Sequence, residues 1–156
     1  MAKVSQRQIV AAVRPSANQP NTTTTPPDFT TNGRQYFAQI SGGEVQASVE
    51  KVYDGGSSTP SVLPAPIEVG DLTVTRHYDP AIDGTLINAA RPLVGKARYD
   101  VAVFTLDADL QIIQGRTRVY PNTILVNITE PEGDSSSGGP ATFSLTFSCE
   151  DVTATS

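Results

Sequence analysis

The sequence predicts a mainly β fold: a β-sandwich or small barrel of about six or seven strands with one short flanking α-helix. Three observations predict it. Several segments alternate apolar and polar residues with a period of two, the signature of half-buried strands. Turn formers punctuate them, with 12 Gly and 12 Pro among 156 residues. One stretch alone changes to helical spacing.

The elements follow in chain order. Residues 15–33, "PSANQPNTTTTPPDFTTNG", are Pro-, Thr- and Asn-rich and hold too little apolar area to offset their ordering entropy. Residues 1–35 are therefore expected to be a flexible N-terminal arm, with the ordered domain spanning 36–152 and a short tail at 153–156. "GEVQASVEKVYDGG" sets Val45, Ala47 and Val49 against Glu44, Gln46, Ser48 and Glu50, which predicts a half-buried strand ended by Asp54-Gly55-Gly56. "SSTPSVLPAPIE" reads as a proline-stiffened loop, because proline cannot serve a central strand. In "DLTVTRHYD", Leu72, Val74, Arg76 and Tyr78 share one face, and Thr73, Thr75 and His77 the other.

The period then changes. "DPAIDGTLINAARPLVG" offers Asp79 as N-cap and Pro80 at the first helical position. Ile82, Leu86, Ala89 and Leu93 fall on one side of the expected helix, which Pro92 and Gly95 close. Strands resume with "RYDVAVFTL", an Asp107-Ala108-Asp109 turn, "QIIQGRTRVY" and "TILVNITE", the last two separated by Pro121-Asn122. A final strand puts Phe143, Leu145, Phe147 and Cys149 on one face, with Thr142, Ser144, Thr146 and Ser148 on the other.

Charge and cysteine usage narrow the function classes. Net charge is −5. Residues 1–35 hold four basic groups against one acid, a net of +3, and residues 36–156 hold seven against fifteen, a net of −8. So acidic a body repels nucleic acid rather than gripping it. The one cysteine, Cys149, has no internal disulfide partner, which suits a reducing compartment. The opening "MAKVSQRQIVAAVRPSANQ" is too short in apolar residues for a signal peptide, and no apolar run is long enough for a membrane span.

Candidates for chemistry are sparse. His77 is the one imidazole, with Asp79 two residues on, but no G-x-S-x-G elbow accompanies them. Asp107 and Asp109, or Glu130, Glu132 and Asp134, are possible calcium ligands without the spacing of an EF-hand loop. Gly42-Gly43 and Gly138-Gly139 lack the Lys and the helix of a phosphate loop. Arg116 and Arg118 alternate on one strand face without aromatic platforms beside them. Cys149 lies on an apolar face, as a small hydrophobe does. The expectation is a non-enzymatic chain with no catalytic, cofactor-binding or metal-binding residues and no cofactor.

The strand ending at "VEKVYDGG", the proline loop and "VGDLTVTRHYDPAIDGTLINAARPLVG" resemble the middle of major tail tube proteins of long-tailed bacteriophages. "YDVAVFTLDADLQII" is similar to that family's paired strands around an acidic turn, and "VNITEPEGDSSSGGPATFSLTFSCEDV" to its last hairpin. The resemblance covers roughly residues 36–152; residues 1–35 do not align. It implies a β-sandwich with a flanking helix, assembled into hexameric rings that stack into a hollow virion tail built in the bacterial cytoplasm. Genomic DNA would pass through the lumen without specific binding, and no membrane would be engaged. Implied partners are further copies and the tape measure, tail terminator and distal tail proteins.

The same fold builds the inner tube of contractile tails and the type VI secretion tube, which makes an inner-tube or secretion-tube protein the alternative, beside a decoration or tail-completion protein. An acidic body would suit a channel through which a polyanion slides. The expected contact segments are the loops Tyr53–Glu68 and Glu130–Pro140, with the basic arm reaching an acidic neighbour. A carbohydrate-binding module is disfavoured by the absence of Trp. A hydrolase would have to rest on His77 alone.

Overall fold

In the computed structural model, which describes residues 8–17, 19, 26–30, 36–56, 58–113, 117–131, 133 and 138–155, alternation becomes a curled antiparallel sheet. In chain order the strands are β1 (Ile9–Pro15), β2 (Gln39–Gly42), β3 (Val45–Gln46), β4 (Glu50–Val52), β5 (Ser61–Leu63), β6 (Glu68–Val69) and β7 (Leu72–His77). Helix α1 (Asp83–Ala90) and a 3-10 turn (Arg91–Leu93) follow, then β8 (Arg98–Thr105), β9 (Thr117–Thr129), β10 (Thr142–Ser148) and β11 (Thr153–Thr155). The main sheet runs β1-β8-β9-β10-β7-β2, with β11 added to β9. Its two edge strands nearly meet: Ala11 and Phe37 exchange two backbone hydrogen bonds at 3.0 and 2.7 Å. The fold is mainly β, a half-barrel of six strands with one short helix against it.

The concave side holds the core. Leu72 and Val74 of β7, Val101 and Val103 of β8, Leu125 of β9 and Phe143, Leu145 and Phe147 of β10 all point inward. The even positions of β7 and the odd positions of β10 are thus the buried ones, as their alternation predicts. Phe29, Phe37, Tyr99, Phe143 and Phe147 form one chain of ring contacts, with centroids 5.7–6.5 Å apart, mostly tilted or edge-on.

The N-terminal boundary moves. Residues 9–15, expected in the arm, form β1 and pair with β8 from Ile9↔Thr105 to Pro15↔Tyr99. Val10, Ala11, Ala12 and Val13 are buried, because a five-residue apolar run that is too short for an export signal is long enough for an edge strand. Phe29 is also fully buried, and the Tyr99 hydroxyl donates to the Pro27 carbonyl at 3.1 Å. At the other end, Thr153–Thr155 pairs with β9 rather than forming a tail.

Two further expectations change. The strands on either side of Pro121-Asn122 are one strand, β9, with its register against β8 shifting between Tyr99 and Val101. Proline is tolerated at such a bulge because its missing N–H falls where the ladder is broken. Asn122 takes φ 55° there, and its N–H donates to the Asp100 carboxylate at 3.0 Å. The expected half-buried strand of residues 44–53 is instead two short exposed pieces, β3 and β4, for a reason given below.

The helix begins at Asp83, not at Pro80. Asp79 holds the preceding turn: its carboxylate accepts from the Ala81 N–H at 3.0 Å and its carbonyl from the N–H groups of Ile82 and Asp83. The buried stripe is Asp83, Ile87 and Ala90, one position on from the expected Ile82-Leu86-Ala89 face. An acid belongs in that stripe because Arg76, buried on β7, meets it at 2.5 Å.

Candidate functional site

Among the described residues, the Arg76–Asp83 pair is the one buried ion pair of the core. Arg76 is 4% exposed and Asp83 fully buried. The guanidinium also donates to the Phe29 carbonyl at 2.9 Å and lies 4.5 Å from the Phe37 ring centroid and 5.4 Å from that of Phe143. The second Asp83 oxygen accepts the Asp79 N–H at 2.9 Å. Arg76 therefore ties β7, the helix and the Pro26–Thr30 segment together, and it is a structural clamp with no open face for a substrate.

The sequence candidates for chemistry are scattered. His77 is exposed at the end of β7 on the convex face, beyond the clamp. Asp79 caps a turn, and Asp107 does the same: one of its oxygens accepts from the N–H groups of Asp109 and Gln111, both at 2.9 Å. Glu130 pairs with Arg91; Glu132 and Asp134 lie outside the described residues, as does Arg116. Arg118 is exposed on β9. Among the described residues no three His, Cys, Asp or Glu side chains converge as metal ligands do.

Gly42 and Gly43 make a turn, with φ 82° and 73°. Gly43 is required twice over, since a Cβ there would lie 2.7 Å from the Tyr120 hydroxyl oxygen. That hydroxyl donates to the Gly43 carbonyl at 3.0 Å. Gly138 lies in an exposed loop. Cys149 is half-buried, just past β10. Burial, with the Asp71 charge adding, pushes its thiol up to about 11, so it stays protonated and unreactive at neutral pH.

What does stand out is a ribbon. After the Gly42–Gly43 turn the chain leaves the sheet as β3 and β4, turns at Gly55–Gly56 and returns as β5 and β6. Among the described residues β3 pairs only with β6, and β4 only with β5. The root is pinned by Gly43 N–H to Asp71 O at 3.0 Å and Gly70 N–H to Glu44 O at 2.8 Å. Val69, at the root, packs on the core. Beyond it the ribbon exposes Val45, Val49, Val52, Tyr53, Val62, Leu63 and Ile67; Tyr53 is 63% and Ile67 70% exposed.

The period-two pattern thus marks extended backbone but not the expected half-burial: no other part of the described chain covers either face. Pro60 and Pro64 bracket β5 and stiffen the returning limb. Some 12 residues a side at about 3.3 Å each make the ribbon up to roughly 40 Å long. Single exposed apolar residues are ordinary on a protein surface, but a run like this one marks a surface meant to be covered.

A second opening lies where the β1–β2 seam parts, a cavity of about 490 Å³ lined by Ile9, Ala38–Gly42 and Arg118. A smaller one, about 280 Å³, sits between α1 and the Arg91–Glu130 pair. Neither gathers nucleophile, base and oxyanion donors. No described helix is long and apolar enough to cross a membrane.

No protein-family model matches the sequence, and no curated protein sequence does. Solved structures do resemble the fold. A chain of the PVC sheath–tube complex of an extracellular contractile injection system, in its extended state, superposes with TM-score 0.69 at 14% identity, over 99% of this chain and 92% of that one. A chain of the anti-feeding prophage cap, the AFP tube terminating cap, gives 0.70 at 14% identity, over 100% and 93%. A type six secretion system protein gives 0.55 at 11% identity, over 94% and 82%. The fold is thus the tail-tube fold that the sequence resemblance implied.

Proposed function

We propose that this chain is a structural, non-enzymatic tube subunit, which assembles with identical copies into rings stacked as the hollow tube of a phage-like particle. The observation that carries the reading is the ribbon: an extended, apolar, self-paired hairpin pinned at its root and covered by nothing among the described residues of its own chain. A stable contact needs about 800 Å² on each side. A two-stranded ribbon roughly 40 Å long and 10 Å wide offers an area of that order over its two faces. The same surface, left bare in an isolated chain, would favour aggregation.

The fold likeness supports a component of an injection or secretion tube. Among tubes, the inner tube of a contractile particle is the reading that the similar complexes favour, and the long-tailed, non-contractile phage tail is the second. Rings are one outcome of the contact type: a ribbon seated on a different surface of the next copy is a heterologous contact, which makes a ring when the rotation closes. The hexameric symmetry, the tape-measure, terminator and distal tail partners, and a lumen that carries DNA belong to this proposal. Lys3 and Arg7 supply charge complementary to Glu44, Glu50, Asp54 and Glu68 on a neighbour's ribbon.

The test is a paired substitution, Val62→Asp with Ile67→Asp. Both sites are exposed, so circular dichroism and melting should match the unsubstituted chain, while rings and tubes disappear from negative-stain images. Rings that persist in the double variant would refute the ribbon's role.

A further inference from the structure

The described chain contains two Asp–Gly steps, Asp54–Gly55 at the ribbon tip and Asp83–Gly84 at the start of α1. In such a step the glycine nitrogen can attack the aspartyl side chain, because no Cβ stands in the way. The carboxyl carbon must swing onto that nitrogen, so what holds each aspartate decides which step reacts. The other described aspartates precede larger residues or, at Asp79, a proline with no N–H.

The structure separates the two. Asp83 is fully buried; one of its carboxylate oxygens meets Arg76 at 2.5 Å and the other accepts the Asp79 N–H at 2.9 Å. Gly84 is held in helical backbone, where a Cβ would lie 3.1 Å from the Tyr78 hydroxyl. Asp54 is the reverse case. It is exposed in the turn beyond the Val52↔Ser61 pair, and among the described residues its carboxylate has no hydrogen bond or ion pair. A Cβ built on Gly55 or Gly56 meets nothing within 4 Å, and Gly56 takes φ 82°. No described neighbour holds the Asp54 carboxyl away from the Gly55 nitrogen.

We propose that Asp54–Gly55 is a site of spontaneous aspartyl isomerisation. In the first step the Gly55 nitrogen bonds to Cγ of the protonated Asp54 carboxyl. The Cγ–OH bond breaks, and the hydroxyl leaves with the amide proton as water, closing a cyclic succinimide. In the second step water adds to the main-chain carbonyl carbon of Asp54. The bond from that carbon to nitrogen breaks, and the nitrogen regains its proton. The main chain then runs through Cγ, longer by a methylene, and the former main-chain carbonyl is a free carboxylate. Nothing is oxidised or reduced, and the mass is unchanged. The new carboxylate is the group that a methyltransferase of the isoaspartyl-repair class esterifies. The consequence for assembly rests on the tube reading above: a tip covered by a neighbouring copy is held still, so assembly suppresses the reaction, while a chain left unassembled alters the surface it needs for docking.

The experiment incubates the full chain, kept too dilute to assemble, in native buffer and in urea. Isoaspartate is then measured peptide by peptide, from mass-neutral chromatographic shifts and resistance to an aspartate-specific protease. Peptide mapping also sets apart Asn32–Gly33, which lies outside the described residues and yields isoaspartate with loss of ammonia. In native buffer isoaspartate should accumulate at Asp54 roughly a hundredfold faster than at Asp83, the scale of a misplaced attack geometry. In urea the two sites should converge. Gly55→Ala should leave melting unchanged and slow the reaction severalfold. Equal native rates at the two sites, a difference that persists in urea, or a Gly55→Ala chain that reacts as fast as the unsubstituted one would each overturn the site. Assembled tubes should react more slowly at Asp54 than the free chain does. Tubes that react equally fast would leave the site standing and refute the covering of the ribbon.

Discussion

Removing the carboxylate from the buried clamp, by Asp83→Asn, should destabilise the domain severely. The structure sets the scale. Arg76 is 4% exposed, its ion pair with Asp83 measures 2.5 Å, and the guanidinium is enclosed by the rings of Phe29, Phe37 and Phe143. Breaking a buried pair at one partner strands the other charge, which costs about 3–5 kcal/mol. Asp83→Asn also weakens the acceptor of the Asp79 N–H, whose loss adds about 1 kcal/mol.

With an m-value of about 1–3 kcal/mol/M, the urea midpoint should fall by at least ~1 M. Urea titration followed by circular dichroism measures it, with the slope checked for constancy. Replacing both partners, Arg76→Met with Asp83→Leu, should recover most of the loss, because an apolar pair of similar volume is often no worse than a buried ion pair. A loss below ~1 kcal/mol in Asp83→Asn, or a double variant as unstable as the two single losses added, would refute the clamp.

Four further outcomes follow from the same geometry. Phe29→Ala should cost about 3–5 kcal/mol in the same titration, whereas a Phe29 in a detached arm would cost almost nothing. Gly43→Ala should cost about 1–3 kcal/mol through its φ of 73° and the Tyr120 clash, while Gly55→Ala, with open space around it, should stay within ~0.5 kcal/mol. Stability should fall as pH rises from about 9 to about 11. Cys149 titrates at about 11 folded against an ordinary 9.0, and Tyr99 is also raised, chiefly by burial, so the native state keeps protons there that the unfolded chain releases. Cys149→Ser should flatten part of that slope in thermal melts taken across the pH range.

Where the sequence could be read, one local rule sufficed. Alternation placed Leu72, Val74, Phe143, Leu145 and Phe147 inward, and even placed Arg76 with them, because a strand side chain has only two directions to choose from. It could not tell burial from exposure in Val45–Tyr53, since coverage depends on what packs from elsewhere, and for the ribbon nothing in the described chain does. Helical spacing found the helix but missed its buried face by one position, because an aspartate counts as polar until its arginine is known. The Pro- and Thr-rich composition of residues 15–33 hid Phe29, whose burial depends on the hollow of a sheet built from residues up to 120 positions away.

Cryo-electron microscopy of concentrated, unsubstituted protein tests the central claim most directly. The account predicts hollow tubes of stacked rings, with the residue 45–69 ribbon ordered against a neighbouring copy. Particles that remain single chains at every concentration and ionic strength, with the ribbon uncovered, would contradict it.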